Sequence, residues 1–243
     1  QPLGTGGAIA NCREHIRGSR AIVMNGDLIT TVDVQDMLSH HVKSDSLVSI
    51  SLWPVEDPTR FGVADFDQKK GLIRRFQEKP SLEEAYSNLI NAGCYIIETS
   101  VIQGLSTEFH SMERDVFPGI AESGRMGGYR YSGRFIDAGT PASYLEAMVA
   151  ALEDNSFNIG GIVGTSWYAD PKMSKKGIEN SAVGMGCKLG DGIRVNRSAI
   201  LEGARIGENV HLDNCLIGRG SIVPANSRLV DMVIGFNQQY QRK

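Results

Sequence analysis

The 243-residue sequence is poor in aromatic residues, at 7% with two Trp, and it has no excess of positive charge. With 25 Lys and Arg against 28 Asp and Glu the formal charge is −3, so no basic field exists to attract nucleic acid or anionic lipid. Long apolar runs are also missing. The longest, at 21–24 and 92–97, fall far short of a membrane span. The four cysteines, Cys12, Cys94, Cys187 and Cys215, form no C-x-x-C pair, and no His stands at zinc-finger spacing. Free thiols in a reducing cytosol are therefore expected, and a cytoplasmic location with them. No signal peptide is visible, and the chain opens on Gln1-Pro2-Leu3 rather than on Met. With 41% hydrophobic and 22% charged residues, it has a globular rather than a disordered or fibrous composition. Glycine is abundant at 28 residues, which calls for many tight turns.

Three zones follow one another. Up to about residue 153, strand-like and helix-like segments alternate. The apolar run Ala21-Ile22-Val23-Met24, ended by Asn25-Gly26-Asp27, reads as a buried parallel strand. A helix over 33–42 is expected with Asp33 as N-cap, and its His40-His41 pair reads as solvated surface. Strands are expected over 47–55, 61–66, 72–76 and 92–98, with a polar hairpin turn at 67–71. A helix over 111–122 opens on Ser111 and should be kinked or divided by Pro118. The clearest helix, 141–153, has Thr140 as N-cap and Pro141 at its first position. This alternation points to an α/β sheet with helices on both faces, which binds ligands at the carboxyl ends of its strands. The second zone, 154–179, has no clear periodicity and reads as a connector.

The third zone, 180–236, repeats every 17 residues, and 237–243 is left as a tail. Aliphatic residues recur at steps of 6, 6 and 5: Val183, Leu189, Val195, Ile200, Ile206, Leu212, Ile217, Val223, Leu229 and Ile234. The next residue is Gly at 184, 190, 207, 218 and 235. A triangular coil explains this spacing. Each of three short strands points one aliphatic side chain inward, and the following corner needs a small residue or φ > 0. Stacked coils then bury a continuous apolar column. Ten regular positions without a failure argue against a β-sandwich, and the zone resembles a hexapeptide-repeat left-handed β-helix. Cys187, Leu201 and Val230 are placed at or near coil corners, where exposed apolar side chains can form contacts.

Several segments of the first zone have chemistry to offer. Pro2-Leu3-Gly4-Thr5-Gly6-Gly7-Ala8 is a Gly-rich stretch before a helix, able to bring backbone N–H groups close to a nucleotide. Asp27, after its strand, can hold Mg²⁺, which prefers one or two carboxylates plus phosphate oxygens. Glu78 can accept from sugar hydroxyls, and Lys79 can neutralise a phosphate. Asn91 can read a sugar hydroxyl, and Asp137, in Phe135-Ile136-Asp137-Ala138-Gly139-Thr140-Pro141, brings a second carboxylate. Taken singly, each is equally compatible with a turn, a cap or a surface ion pair.

Their joint order is more specific. Leu-Gly-Thr-x-Gly, Asn-Gly-Asp, Phe-Gly-Val, Glu-Lys-Pro, Asn-Ala-Gly, Glu-Arg-Asp-Val-Phe-Pro at 113–118 and Ile-Asp-x-Gly-Thr-Pro together resemble the sugar-1-phosphate nucleotidyltransferases. The likeness is strongest to the mannose-1-phosphate guanylyltransferase and the glucose-1-phosphate uridylyl- or thymidylyltransferase branches. The resemblance covers residues 1–153. It implies a Rossmann-like nucleotidyltransferase domain followed by the left-handed β-helix, with homo-oligomerisation through the latter. It implies that Leu3, Gly4, Thr5, Gly6 and Gly26 bind the nucleotide. Gly62, Glu78, Lys79, Asn91 and Gly93 bind the sugar phosphate, and Asp27 and Asp137 ligate catalytic Mg²⁺. Asp27, Lys79 and Asp137 form the catalytic set. The reaction implied joins an NTP to a sugar 1-phosphate and expels pyrophosphate, with GDP-mannose as the expected product and UDP- or dTDP-glucose as alternatives.

One departure from the family matters. Its G-x-G-[ST]-R-x-x-P-x-[ST] loop and following Lys, which hold the triphosphate, do not occur in these 243 residues. The expectation is an N-terminally truncated domain that lacks a strand beside the one ending at Asp27. A non-catalytic, nucleotide-sugar-binding regulatory subunit is a further reading. A hexapeptide acyltransferase would need a catalytic His on the β-helix, and His211, beside inward-facing Leu212, is expected to point outward.

Overall fold

The computed structural model describes residues 1–154, 157 and 159–241. Residues 155, 156 and 158 of the expected connector, and 242–243 of the expected tail, lie outside the described residues. Two units divide the chain, Gln1–Phe135 and Ile136–Lys243.

The first unit is built on a six-stranded sheet. Its strands are β1 (Arg20–Met24), β3 (Val48–Pro54), β4 (Gly62–Asp67), β5 (Leu72–Glu78), β6 (Leu89–Glu98) and β7 (Met126–Arg130), in the order β1-β6-β3-β7-β5-β4. A short strand β2 (Leu28–Thr30) lies outside it. The helices are α1 (Gly4–Asn11), α2 (Val34–Lys43), α3 (Thr99–Gly104) and α4 (Phe117–Glu122). Period-2 alternation along β6 divides its side chains between two cores. Tyr95 and Ile97 join Ile9 and Ala10 of α1, Ile102 of α3 and Phe117 and Ala121 of α4. Cys94 and Ile96 join Met37 of α2 together with Tyr129 and Tyr131. The sheet is thus covered by helices on both faces, as the alternation of segments predicts.

Two local expectations hold. Asp33 caps α2 by accepting from the Asp36 N–H, and Pro118 does divide its helix. One π-helical turn, Met112–Val116, opens on Ser111, whose hydroxyl accepts from the Arg114 N–H, and α4 starts at Phe117.

Others are corrected. The run 21–24 is not a buried parallel strand. It pairs antiparallel with β6 and occupies the sheet edge, where Ile22 is 51% and Met24 45% exposed. Apolar composition cannot tell parallel from antiparallel pairing, because the partner strand decides it. The Gly-rich stretch is not a loop ahead of a helix, since Gly4, Gly6 and Gly7 are the first turns of α1. His41 is not surface. It is buried, with Nδ1 2.8 Å from Ser49 Oγ and Nε2 3.0 Å from Glu98 Oε1, and Glu98 also pairs with Arg20 at 2.9 Å. His40, its neighbour, is exposed, because adjacent helical residues point about 100° apart.

In the second unit, helix α5 (Pro141–Glu153) is opened by a complete capping box in which Thr140 and Ser143 bond reciprocally. A parallel β-helix follows. Its three ladders are in 17-residue register: Val183–Ile200–Ile217–Ile234, Val195–Leu212–Leu229 and Leu189–Ile206–Val223. All ten aliphatic positions of the repeat join one apolar column, nine of them buried and Leu189 partly so. Within 154–179 the chain already builds strands Ser166–Tyr168 and Ile178–Glu179, which pair in parallel with the coil above.

At the coil corners the two expected alternatives, small size and positive φ, fall on different positions. The five glycines after the aliphatic positions do not have positive φ. At Gly184, Gly190, Gly207 and Gly218 the next coil lies on top: a Cβ at Gly184 would stand 2.6 Å from the Glu202 backbone N, and one at Gly207 would strike the Ala225 backbone, while Gly235 faces the Gln238 side chain. The left-handed backbone is taken instead by three stacked columns. These are Asn180, Arg197, Asn214 and Asp231, then Gly192, Asn209 and Asn226, then Gly186, Gly203, Gly220 and Asn237. Asn and Gly tolerate this conformation best. Amide ladders also link the coils, with Asn209 donating to Asn226 at 3.2 Å and Asn214 donating to Asp231. Cys187 is not an exposed corner residue but 6% exposed, its Sγ 3.2 Å from the Leu201 carbonyl oxygen. All four cysteines are free thiols.

Because each coil rests only on its neighbours, a gap at mid-column is felt directly. Ile217→Ala removes a fully buried side chain and is expected to cost about 2–5 kcal/mol. Gly207→Ala is expected to cost about 1–3 kcal/mol through overpacking. Urea unfolding measures both, and a loss well under 1 kcal/mol for Ile217→Ala contradicts the column as described.

Candidate functional site

The candidate residues of the first unit come together around a break in strand pairing. Opposite Ile50 and Leu52 of β3, strand β6 offers Tyr95 and Asn91, so residues 92–94 form a bulge. Gly93 has φ +67°, and a Cβ there would stand 2.8 Å from the Asn25 side-chain nitrogen. Only glycine meets both demands. The N–H freed at Cys94 donates to Ser51 Oγ at 3.2 Å, and the Asn25 N–H donates to the Gly93 carbonyl at 2.9 Å. Asn91-Ala92-Gly93 is therefore inside a strand, not at its opening. Its bulge seats the 25–27 turn beside the sheet and aims Asn91 along it.

Asn91 Oδ1 accepts from the Gly93 N–H at 3.0 Å, and its Nδ2 donates to the Tyr95 hydroxyl at 3.0 Å. Tyr95, 1% exposed, passes the hydrogen bond on to Glu113 Oε1 at 3.3 Å. The other Glu113 oxygen accepts from Thr5 Oγ1 at 2.6 Å and from Ser111 Oγ at 2.7 Å. Thr5 in turn accepts from the Met112 N–H at 2.9 Å. Burial and the Glu113 charge push the Tyr95 phenol well up, so it stays a donor. The Gly-rich first turn of α1 packs onto the same segment. Gly6 N–H donates to the His110 carbonyl at 3.0 Å, and a Cβ on Gly6 would collide with the His110 ring.

Glu78 ends β5 and Lys79 follows it, and Gly62 of β4 is the registered partner of Glu78. A Cβ at Gly62 would meet Glu78 Oε2 at 2.8 Å and overlap the Phe76 ring, so glycine lets this carboxylate lie against the sheet. Burial, and then the Glu113 charge, raise the Glu78 carboxyl above its usual range, against the pull of Lys79 and Arg114. Lys79 Nζ lies 3.9 Å from Glu78 Oε1 and its side chain is 57% exposed. Its backbone is left-handed, φ +50°, although Pro80 pushes the residue before it to extended backbone. A strained non-glycine residue at a site mouth is a feature of ligand clamps. The Lys79 N–H donation to Phe61 O at 3.0 Å helps hold it.

Leu3 is the N-cap of α1, and Gly4 has φ +70° beneath His110. Gly26 and Asp27 are exposed, with open space where a Gly26 side chain would stand. Asp27 makes no hydrogen bond or ion pair among the described residues, and no group of three or more His, Cys, Asp or Glu there could cage a metal. An ion held by this one carboxylate would have to complete its shell with phosphate oxygens and water, as Mg²⁺ can. Asp137 belongs to the second unit, where it ends the strand Phe135–Asp137 and accepts from the Gly139 N–H at 3.0 Å. Motif reading assigned no role to Glu113, Tyr95, Ser111 or Asn25, although Glu113 opens one of the quoted motifs. His211 flanks buried Leu212 and lies half-buried. No helix among the described residues is long and apolar enough to cross a membrane.

The Nucleotidyl transferase family model matches residues 1–154, and the model for the GlmU-like C-terminal hexapeptide region matches residues 157–243. Similar curated proteins include the mannose-1-phosphate guanylyltransferase catalytic subunit beta of Danio rerio, 33% identical over 63% of this chain and 42% of its own length. Another is the mannose-1-phosphate guanylyltransferase of Mycobacterium tuberculosis, 32% identical over 80% of this chain and 56% of its own length. The chain thus spans about half the length of these relatives. Among solved structures, HddC from Yersinia pseudotuberculosis aligns at TM-score 0.50 and 32% identity, over 60% of this chain and 62% of that one. A protein described as a glucose-1-phosphate thymidylyltransferase, from Bacillus anthracis, aligns at TM-score 0.53 and 25% identity, over 60% and 61%.

The raised Glu78 carboxyl sets a pH dependence. The folded chain holds that proton more tightly than the unfolded one, so stability falls as pH climbs from the unfolded value of about 4.3 through the higher folded value. Glu78→Gln removes this penalty. It is expected to be more stable than the parent at pH 7, with the difference vanishing below about pH 4. Denaturant unfolding at the two pH values checks it, and a Glu78→Gln variant that is less stable at pH 7 contradicts it.

Proposed function

The chain belongs to the nucleotidyl transferase family, and from that premise we propose that it acts in joining an NTP to a sugar 1-phosphate, giving an NDP-sugar and pyrophosphate. GDP-mannose from GTP and mannose 1-phosphate is the pair we favour, since guanylyltransferases of mannose 1-phosphate are among its relatives. The observation that carries the reading is the convergence of Gly62, Glu78, Asn91 and Gly93 with Thr5 and the 25–27 turn around one bulged strand.

In this reading Glu78 and Asn91 accept from and donate to sugar hydroxyls, and Lys79 faces the sugar phosphate with its exposed ammonium. Gly26, with open space where a side chain would stand, leaves room for base and ribose beside the first turn of α1. An oxygen of the sugar phosphate attacks the nucleotide α-phosphorus in line. The bond from that phosphorus to the bridging oxygen breaks, and pyrophosphate leaves with the electron pair. The protein's part is to hold the two phosphates in line and offset their repulsion. Asp27 and Asp137 are the proposed carboxylates for Mg²⁺, Asp27 supported by its free, exposed side chain and Asp137 by its motif. When bound, the ion supplies Lewis-acid charge neutralisation at the reacting phosphates. Pairing of dTTP with glucose 1-phosphate is the second reading, favoured by the likeness to the Bacillus anthracis protein. Association of copies through the β-helix is proposed on the resemblance alone.

Pyrophosphate release, measured with GTP and mannose 1-phosphate beside dTTP or UTP and glucose 1-phosphate, tests substrate and activity together. In the complete enzyme, Asp27→Asn is expected to lower turnover on the order of 10²–10³-fold with unfolding unchanged. Turnover close to the parent's in Asp27→Asn sinks the carboxylate assignment. Calorimetry in which the chain binds NDP-sugar but not NTP with Mg²⁺ supports a regulatory subunit instead.

A further inference from the structure

The hydrogen bonds through Glu113 form one directed chain. Thr5 donates to Glu113 at 2.6 Å, Tyr95 donates to its other oxygen at 3.3 Å, Asn91 donates to Tyr95 at 3.0 Å, and the Gly93 N–H donates to Asn91 at 3.0 Å. Every link from Gly93 and from Thr5 points toward the same carboxylate. Only a group that accepts on both oxygens and donates nothing satisfies the three hydroxyls around it. The two ends lie in different half-sites: Thr5 on the nucleotide side, in the first turn of α1, and Asn91 with Gly93 on the sugar side, in the bulge of β6. Among the described residues no other side-chain hydrogen bond joins α1 to the bulge, and Tyr95 in the middle is 1% exposed, so water cannot substitute for the link.

We propose that Glu113 is a positioning residue that couples the nucleotide half-site to the sugar half-site through Thr5 on one side and Tyr95 and Asn91 on the other. This rests on the nucleotidyl-transfer reading and adds to it a role for a residue that contacts neither substrate in that reading. Ordering α1 around a nucleotide fixes Thr5, which fixes the carboxylate, which fixes Tyr95 and the Asn91 amide that faces the sugar. Such a link makes each ligand tighten the other by the same factor. A second consequence is electrostatic. Glu113 is one of the two causes that raise the Glu78 carboxyl, so the same residue also tunes a proposed sugar ligand.

Calorimetry with mannose 1-phosphate, in the absence and presence of a non-hydrolysable GTP analogue and Mg²⁺, reads the coupling. In the parent protein each ligand is expected to tighten the other by about 5-fold or more. Glu113→Gln keeps the shape but loses one accepting oxygen, and Tyr95→Phe cuts the chain at its buried link. Both are expected to bring the factor near 1 while each ligand still binds alone. The Glu78 carboxyl, followed by ¹³C NMR, is expected to titrate at lower pH in Glu113→Gln than in the parent, a change that loss of packing alone does not produce. Coupling that persists in both variants overturns the proposal while leaving the functional reading standing. Parent protein that binds neither ligand overturns the functional reading, and this proposal with it.

Discussion

The first unit depends on one interruption in its backbone ladder. At Gly93, strand β6 departs from β3, and a left-handed glycine is the only residue that can make the departure with Asn25 packed against it. The bulge does three things at once. It presents the Gly93 carbonyl to Asn25 and so fixes the turn that carries Asp27. It aims Asn91 along the sheet toward Tyr95. It also leaves Tyr95 and Ile97 on one face and Cys94 and Ile96 on the other, so that both apolar cores remain filled beyond the irregularity. A regular strand would give up the site to gain a few ladder bonds.

Around that bulge the polar groups are held by satisfied donors rather than by solvent. Ser51 takes up the N–H that the bulge frees, and Glu113 takes up three hydroxyls. Two carboxylates, Glu78 and Glu113, lie close enough for one charge to raise the other. Carboxyls perturbed in this way cluster at functional sites, although structural ion-pair networks produce them too. Lys79, strained in a left-handed conformation before Pro80, belongs to the same pattern.

The second unit solves a different problem with different means. Its coils have no long-range topology to specify, only a register to keep. Aliphatic side chains fill the centre, and the amide ladders of Asn209 with Asn226 and Asn214 with Asp231 hold the coils in step at the corners. Four of the five glycines after the aliphatic positions allow close stacking, while left-handed backbone is assigned to separate columns of Asn, Gly, Asp and one Arg.

The amino-acid sequence by itself determined the β-helix, because a 17-residue repeat is a local statement made again in every coil, and each inward aliphatic residue could be named before any coordinate. It also determined the helix ends at Asp33 and Thr140, where capping depends on residues three apart, and the family, through the order of short motifs. Tertiary structure alone decided what depends on distant neighbours. The antiparallel pairing of 21–24 follows from β6 beside it, and the burial of His41 from Ser49 and Glu98 across the fold. Glu113 became a site residue only when Thr5, 108 positions away, and Tyr95, 18 away, closed on it. Spacing records what one segment prefers, whereas a hydrogen-bonded carboxylate between three segments exists only once the chain has brought them together.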